Sequence, residues 1–249
     1  MKNFTLLLAL LGTAVACTST SQATVVPTQA PQTDNSADAY TVEINPDDFV
    51  ATVDNPYFPR IPGTRYVYEG MTADGLERVE IEILHETREV MGIQATIMHD
   101  VVYLDGELVE ETYDWFAQDK NGNVWYLGED VDNYEDGVLK DHDGAWEAGV
   151  DGALPGIVMF ANPANRIGET MRQEYYAGQA EDQADILSAT EQITVPIGSF
   201  NNVVQTYDYT PLDPEAQEHK FYAAGIGEIR TVDLLTNEEF VLIEYTPAN

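Results

Sequence analysis

Apolar and polar residues alternate along the first half of the chain with a period of two. Within residues 78–84, glutamates separate three apolar residues at alternate positions, Val79, Ile81 and Ile83. This period predicts β-strands, because a half-buried strand places successive side chains on opposite faces of its sheet. Asp105-Gly106 and the run DKNGN at 119–123 are typical of hairpin turns between such strands. The segment from 64 to 127 therefore predicts an antiparallel β-meander.

Two further strands of this meander have predicted faces. After Gly92 the alternation resumes and places four apolar residues on one face, Ile93, Ala95, Ile97 and Val101. In residues 108–118, Tyr113 and Trp115 are two positions apart, so they are predicted to share a face.

The middle of the chain departs from this pattern. Residues 129–152 are acidic and rich in glycine, and residues 153–166 contain Pro155 and Pro163. This composition predicts a long acidic loop region over residues 129–166 with at most short strands, and long loops are often functional. Alternation returns between 170 and 245, and only residues 179–187 have a pattern compatible with a helical turn. We therefore expect a mainly β fold, one antiparallel curved sheet or half-barrel, with few or no helices.

The amino terminus has the pattern of an export signal. Lys2 precedes an uncharged, leucine-rich run over residues 4–16, which is typical of a cleaved signal peptide. The run is too short for a transmembrane helix, which needs about 20 apolar residues. Cys17, which is the single cysteine, follows Ala14-Val15-Ala16 directly. These residues resemble the lipobox of bacterial lipoproteins, in which the cysteine receives the lipid, including palmitate.

Ala14 leaves an alternative open. Lipoboxes usually have leucine three residues before the cysteine, and Ala14-x-Ala16 also suits ordinary signal peptidase, which would release a secreted protein. Residues 18–39 are rich in Ser, Thr, Gln, Pro and Ala, a composition that predicts a disordered tether. The predicted organisation is a signal peptide over 1–16, a lipidated tether over 17–39 and one β-rich domain over 40–249. This places the domain in the bacterial envelope, anchored by lipid and facing outside the cytoplasm.

The charge of the chain restricts its partners. Asp and Glu number 44 against 11 Lys and Arg, so the formal net charge is −33. Such a protein is not expected to bind nucleic acid, because it lacks the basic surface that would neutralise phosphates. The acidity has three interpretations: solubility in a salty habitat, binding of cations such as Ca²⁺, or recognition of a basic protein or polyamine.

Two motifs near the carboxyl terminus resemble those of a known group of proteins. Residues 195–200 (VPIGSF) resemble a V-P-x-G-S/T-F motif, and residues 218–229 (EHKFYAAGIGEI) resemble an E-x-K-Y-Y-A-x-G-V-G-x-V motif. The pair is found in uncharacterised antiparallel β proteins of the bacterial envelope, many of them lipoproteins. Some have a curved sheet like that of the lipoprotein carriers LolA and LolB. The resemblance implies that architecture and says little about chemistry.

Oxygen-bearing side chains suggest candidate cation sites. Asp119, Asn121 and Asn123 alternate as ligands do in calcium loops, with Asp130 further on, although the glycine of an EF-hand loop is replaced by Val124. The simpler interpretation is a hairpin turn. A second candidate is the acidic stretch 129–147, in which carboxylates and His142 could surround Ca²⁺ or a transition metal: Asp130, Asp132, Asp141 and Asp143. A solvated acidic loop is the alternative there.

Aromatic residues near the same stretch suggest a ligand site. Trp125, Tyr126, Trp146 and Glu147 combine rings with a carboxylate, which is typical of carbohydrate sites and, without a ligand, of ordinary cores. The usual catalytic motifs, G-x-S-x-G, H-E-x-x-H and a glycine-rich phosphate loop, are absent from the sequence. We expect a non-catalytic envelope protein that binds a small molecule or cation. The alternatives are a hydrolase of extracellular polymers and an adhesive or scaffold module for a basic partner.

Overall fold

A computed structural model describes residues 40–248, which contain sixteen strands joined into antiparallel sheet. The predicted signal peptide, Cys17 and the tether lie outside the described residues. Within residues 40–248, helical structure is limited to two short 3₁₀ turns, Pro46–Asp48 and Pro163–Asn165. No helix in this part of the chain is long and apolar enough to span a membrane.

The strands follow the chain with short connections. They are β1 (Phe49–Val50), β2 (Arg65–Met71), β3 (Leu76–Val90), β4 (Ile93–Leu104), β5 (Glu107–Asp119), β6 (Val124–Glu135), β7 (Val138–Asp141), β8 (Trp146–Glu147), β9 (Leu154–Met159), β10 (Thr170–Arg172), β11 (Glu174–Tyr175), β12 (Gln183–Val195), β13 (Gly198–Thr210), β14 (Asp213–Ala223), β15 (Gly227–Asp233) and β16 (Glu239–Thr246).

Thirteen of these strands form one path that curls into a nearly closed barrel. Their order is β10-β12-β13-β14-β15-β16-β2-β3-β4-β5-β6-β9-β11, while β1 pairs with β5, and β7 and β8 pair with β6. The two ends of the path approach each other where β9 meets β10. A Cβ on Gly156 would lie 2.3 Å from the carbonyl oxygen of Arg172, so only glycine permits this approach. The predicted fold class is confirmed, and the sheet closes further than a half-barrel.

The inner face of β2 and β3 is apolar, as the alternation predicts. Val79, Ile81 and Ile83 are buried, and the register pairs Tyr68 with Val79 and Tyr66 with Ile81. Because each side chain that points inward loses its contact with water, this alternation provides the hydrophobic stabilisation of the barrel wall.

Strand β4 departs from the predicted face after its third residue. Ala95 and Thr96 are both buried although they are adjacent, and the pairing of β3 with β4 shifts register nearby. This irregularity changes which residues point inward, because side chains alternate strictly along a strand. The buried face continues through Met98, Asp100 and Val102. Ile97 and Val101 are therefore only partly buried and do not share a face with Ile93 and Ala95, contrary to the prediction.

The acidic middle contains more strand than its composition indicates. Strand β6 continues to Glu135, because residues 129–133 pair with β5, including Val131 opposite Thr112. The remaining stretch to residue 166 contains the three short strands β7, β8 and β9. Cross-strand hydrogen bonds and one buried face thus outweigh the low β-propensity of the acidic residues.

A segment before β2 covers one end of the barrel. The Asn55 side-chain amide donates to the carbonyl oxygens of Gly122 (2.8 Å) and Phe160 (3.1 Å). The Gly225 N–H donates to the Pro56 carbonyl oxygen. These contacts join the turn between β5 and β6 to the turn between β14 and β15. We call residues 53–60 the plug, and its Phe58 packs against the Phe116 ring in the core.

Candidate functional site

Carboxylates line the inner face of the barrel on neighbouring strands. Asp100 on β4 pairs with Ile81 on β3 and with Thr112 on β5. On β5, Glu110 pairs with Val102 and Asp114 pairs with Met98. Val102 and Met98 are each two residues from Asp100 on the same face of β4. Glu110 and Asp114 are therefore the diagonal neighbours of Asp100 on β5. All three acids are buried. The register therefore places Asp100 between two other carboxyl groups on the next strand.

Asp100 is the most isolated of these groups. It is 2% exposed, and neither of its carboxylate oxygens has a hydrogen-bond partner. Burial raises its pKa well above the ordinary value, and the nearby Asp114 and Glu110 raise it further. A buried carboxylate without a partner is costly, so this group needs either a proton or a cation from outside the described chain.

Asp114 has one satisfied oxygen and one free oxygen. The Tyr126 hydroxyl donates to its Oδ1 at 2.6 Å, while Oδ2 has no partner. Burial raises the pKa of Asp114 to about 7, although the Tyr126 hydrogen bond and the Arg60 charge both lower it. The free oxygens of Asp100 and Asp114 thus belong to the same group of buried carboxyls.

Two aromatic rings lie next to this group. Tyr126 and Trp146 pack edge to face, with their ring centroids 5.3 Å apart. Burial, followed by the charges of Asp114 and Glu174, raises the pKa of Glu129 well above its ordinary value. Burial does the same for Glu174. Three carboxyl groups therefore lie around Tyr126: Asp114 on β5, Glu129 on β6 and Glu174 on β11.

A lysine lies among the carboxyls of β13, β14 and β15. The Lys220 ammonium is 3.4 Å from Glu218 and 4.0 Å from Asp208. Burial alone would lower the pKa of Lys220, but these carboxylates outweigh that effect and raise it. Burial raises the pKa of Glu228 to about 7, which Lys220 partly opposes. Glu218 and Lys220 belong to the second sequence motif, so that motif places an ion pair inside the barrel.

The candidate calcium loop at 119–123 is a turn in which the aspartate bonds to its own neighbours. Asp119 Oδ1 accepts from the backbone N–H groups of Asn121 (2.8 Å) and Asn123 (3.0 Å). Its Oδ2 accepts from the Asn123 amide (2.8 Å) and the Trp125 indole (3.1 Å). Both oxygens are engaged within the turn, and Asp130 lies away from it on β6.

The second candidate cation region forms a hairpin held by its own polar contacts. The Asn133 amide donates to Asp141 Oδ1 (2.9 Å) and to the Asp143 carbonyl oxygen (3.0 Å). His142 Nδ1 lies 2.7 Å from Asp132 Oδ1. Among residues 40–248, no three His, Cys, Asp or Glu side chains are arranged so that they could hold a metal ion.

The four residues predicted to form a ligand site lie in different surroundings. Trp125 packs edge-on against Phe49 at the plugged end, and Glu147 forms a 2.5 Å ion pair with Arg88. Tyr126 and Trp146 are buried beside Asp114 and Glu174. The structure thus brings together two of the predicted aromatic residues, at the interior carboxyls rather than on a surface loop.

The interior carboxyls themselves were missed by sequence reasoning. Asp100 and Asp114 lie in phase with buried apolar residues, Met98 and Phe116. An acid in phase with the apolar face of a strand is the signal that could have identified Asp114. On β4 the irregularity at Ala95 and Thr96 hides that phase.

Comparison with known proteins finds a structural likeness at low sequence identity. No family model matches the chain, and no significant match to a curated protein was found. The crystal structure of a "putative lipoprotein" from Parabacteroides distasonis aligns with a TM-score of 0.37 at 16% identity, covering 77% of this chain and 99% of that one. At this TM-score the likeness carries no argument about function.

Proposed function

We propose that this chain is an exported envelope protein, anchored by lipid at Cys17, that binds a small cationic ligand inside its β-barrel without catalysing a reaction. The observation that carries the proposal is the Asp100 carboxyl, which is 2% exposed and has no hydrogen-bond partner on either oxygen. Buried charges in proteins are normally paired, so a cation at Asp100 would supply the missing partner.

The architecture is compatible with an internal ligand. A barrel of about eight strands has an interior that side chains just fill, and the interior widens with strand number. The path here has 13 strands and is nearly closed, so this relation leads us to expect a wider interior. The plug covers the end formed by the turns at 120–123 and 224–226. Glu77 lies beside the turn at 72–75, at the end of the barrel opposite the plug. Burial raises the pKa of Glu77 to about 8, and the charge of Glu110 contributes to this increase.

The proposed location depends on the amino-terminal sequence. The leucine-rich run, the small residues before Cys17 and the polar tether support export and lipidation. Expression in a bacterial host with labelled palmitate tests this step. The wild type should carry the label and sediment with membranes, whereas Cys17→Ser should lose both properties. Label retained by Cys17→Ser would contradict lipidation at this residue.

Thermal unfolding of the full-length lipidated chain in a neutral detergent tests ligand binding. The midpoint is measured with calcium chloride, butylammonium chloride or butyltrimethylammonium chloride, each against sodium chloride of equal ionic strength. A ligand about 100-fold above its Kd adds about 2.7 kcal/mol, which raises the midpoint by several degrees. At least one cation should stabilise the wild type more than Asp100→Asn.

The matched control is Asp151→Asn. Asp151 is exposed and has a left-handed φ of 49°, which asparagine also tolerates, so this variant removes one surface charge only. It should respond to cations as the wild type does. If all three proteins respond equally to every cation, the interior is not the binding site. Should Asp100→Asn not fold, Asp114→Asn replaces it.

A further inference from the structure

We infer that the ligand is a primary amine, whose ammonium group is held between the carboxyls of Asp100 and Asp114. This rests on the proposed function, since it names the chemical class of the cation that the interior accepts.

The number of free acceptors matches a primary ammonium group. Oδ1 and Oδ2 of Asp100 and Oδ2 of Asp114 are buried without hydrogen-bond partners. Oδ1 of Asp114 is already engaged by the Tyr126 hydroxyl. A primary ammonium carries three N–H donors and no acceptor. One such group can therefore satisfy all three free oxygens, and charge-assisted bonds of this kind are about twice as strong as neutral ones.

The register brings the two carboxyls within reach of one ammonium. Asp114 pairs with Met98, two residues from Asp100 on the same face of β4. Such diagonal neighbours on adjacent strands lie about 7–8 Å apart at their Cα atoms. Because a carboxylate side chain reaches inward from each position, a nitrogen between them can contact both.

The surrounding wall suits the hydrocarbon part of an amine. Met98 and Val102 flank Asp100 on the inner face of β4, and Ile81 pairs with it from β3. All three are buried and apolar. The alkyl chain of such an amine would extend from the ammonium group along these side chains. Each methylene group buried there would contribute about 0.8 kcal/mol to the binding free energy. A fully hydrated inorganic cation would gain nothing from these side chains.

The chain's own interior cations are placed elsewhere. Lys220 lies against Glu218 and Asp208 on β14 and β13. The Arg60 guanidinium lies over the Phe58 ring at 3.6 Å, and its Nη1 donates to the Pro59 carbonyl oxygen. Arg60 lowers the pKa of Asp114 through its charge, but neither cation bonds to Asp100. No donor among the described residues thus bonds to either carboxylate oxygen of Asp100, although the Arg60 Nε is itself buried without an acceptor.

The competing cations differ in a way that can be tested. A quaternary ammonium carries the same charge as a primary one but has no N–H donor, so it cannot satisfy these oxygens. Calcium requires about 6–8 oxygen ligands at 2.3–2.6 Å, which exceeds the three free oxygens here. Donor number, and not charge alone, should therefore decide which cation binds.

Calorimetric titration of the full-length chain compares n-butylammonium with butyltrimethylammonium, two ions of equal charge and equal alkyl length. Butylammonium should bind the wild type and Asp151→Asn with the same affinity. Asp100→Asn should weaken its binding by about tenfold or more, because the variant removes a charge-assisted acceptor. Asp114→Asn should weaken it as well, while butyltrimethylammonium should not bind measurably to any of the four proteins.

The outcomes separate this inference from the proposed function. If butyltrimethylammonium or calcium binds the wild type as tightly as butylammonium, and Asp100→Asn abolishes that binding, the interior is a cation site but the primary-amine inference is wrong. If no cation binds in an Asp100-dependent manner, both are wrong, and Asp100 is simply protonated. Equal binding of butylammonium to wild type and Asp100→Asn would place the amine elsewhere and also overturn the inference.

Discussion

The Tyr126 hydroxyl donates a 2.6 Å hydrogen bond to Oδ1 of Asp114 inside the barrel. Tyr126 is on β6 and Asp114 is on β5, and the pairing of these strands shifts register between Asp114 and Phe116. The shift brings the hydroxyl to the carboxyl, while the Tyr126 ring stacks on Phe116 with centroids 4.8 Å apart. One oxygen of Asp114 is thereby satisfied by the chain, and the other is left for a proton or a ligand.

Removal of this hydroxyl should destabilise the fold in a pH-dependent manner. Tyr126→Phe leaves Asp114 Oδ1 buried without a donor, which costs about 1–3 kcal/mol. Because the bond lowers the pKa of Asp114, the variant should also raise that pKa above its present value of about 7. Urea unfolding at a pH of about 5.5 and of about 8.5 measures both effects, and the loss should be larger at the higher pH.

Tyr103→Phe is the matched control for this change. The Tyr103 side chain is only partly buried, on β4, and its hydroxyl has no hydrogen bond in the structure, so its removal should leave stability nearly unchanged. Equal losses in the two variants, or a loss in Tyr126→Phe that does not depend on pH, would contradict the role given to the hydroxyl.

The whole domain should be more stable in mild acid than in mild base. Burial raises the pKa of Glu77 to about 8 and that of Asp114 and Glu228 to about 7, so each is more easily protonated when folded than when unfolded. Their favourable contribution is complete below the unfolded pKa of about 4 and is lost as the pH rises towards the folded values. The free energy of unfolding should fall by up to about 1.4 kcal/mol per pH unit for each group.

Salt separates this effect from repulsion between surface charges. The net charge of −33 also destabilises the fold as acids ionise. About 0.5 M sodium chloride screens exposed charges and leaves buried ones largely unscreened. The pH dependence of urea unfolding should persist in this salt. If stability is equal at a pH of about 5.5 and of about 8.5 in high salt, the interior carboxyls do not have raised pKa values.

The plug should depend on one asparagine. Asn55→Ala removes the amide that donates to the carbonyl oxygens of Gly122 and Phe160, which leaves a partly buried and a buried oxygen without that donor. We expect a loss of about 1–3 kcal/mol and faster amide exchange in residues 53–60. Asn201→Ala, at an exposed position on β13, should change neither quantity. Unchanged exchange in Asn55→Ala would show that the plug is held by other contacts.

The turn between β5 and β6 should depend on both oxygens of Asp119. Asp119→Ala removes the acceptor of four hydrogen bonds within the turn, and a loss of about 1–3 kcal/mol is expected in urea unfolding. Asp119→Asn keeps one oxygen acceptor, so it should lose less stability than Asp119→Ala. The difference in the free energy of unfolding between each variant and the wild type should be the same with calcium and with EDTA. A difference that appears only with calcium would instead identify the turn as a calcium site.

The sequence predicts the strands of the barrel wall better than it predicts the carboxyl groups inside the barrel. The strict alternation through Val79, Ile81 and Ile83 determines a strand and its buried face, because only the period matters. The irregularity at Ala95 and Thr96 has no such signature, so the inward direction of Asp100 could not be predicted from the pattern. Asp114 becomes a neighbour of Asp100 only through strand register, which depends on contacts between distant residues.

The carboxyl carbon of Asp100, followed by NMR through a pH titration with and without n-butylammonium, tests the central claim most directly. Without the amine, Asp100 should titrate well above the ordinary range of an aspartate, because it is buried beside other carboxyls. With saturating amine its pKa should fall by more than about one unit, since an adjacent ammonium favours the ionised form. An Asp100 titration that is identical with and without the amine would contradict a cation site inside this barrel.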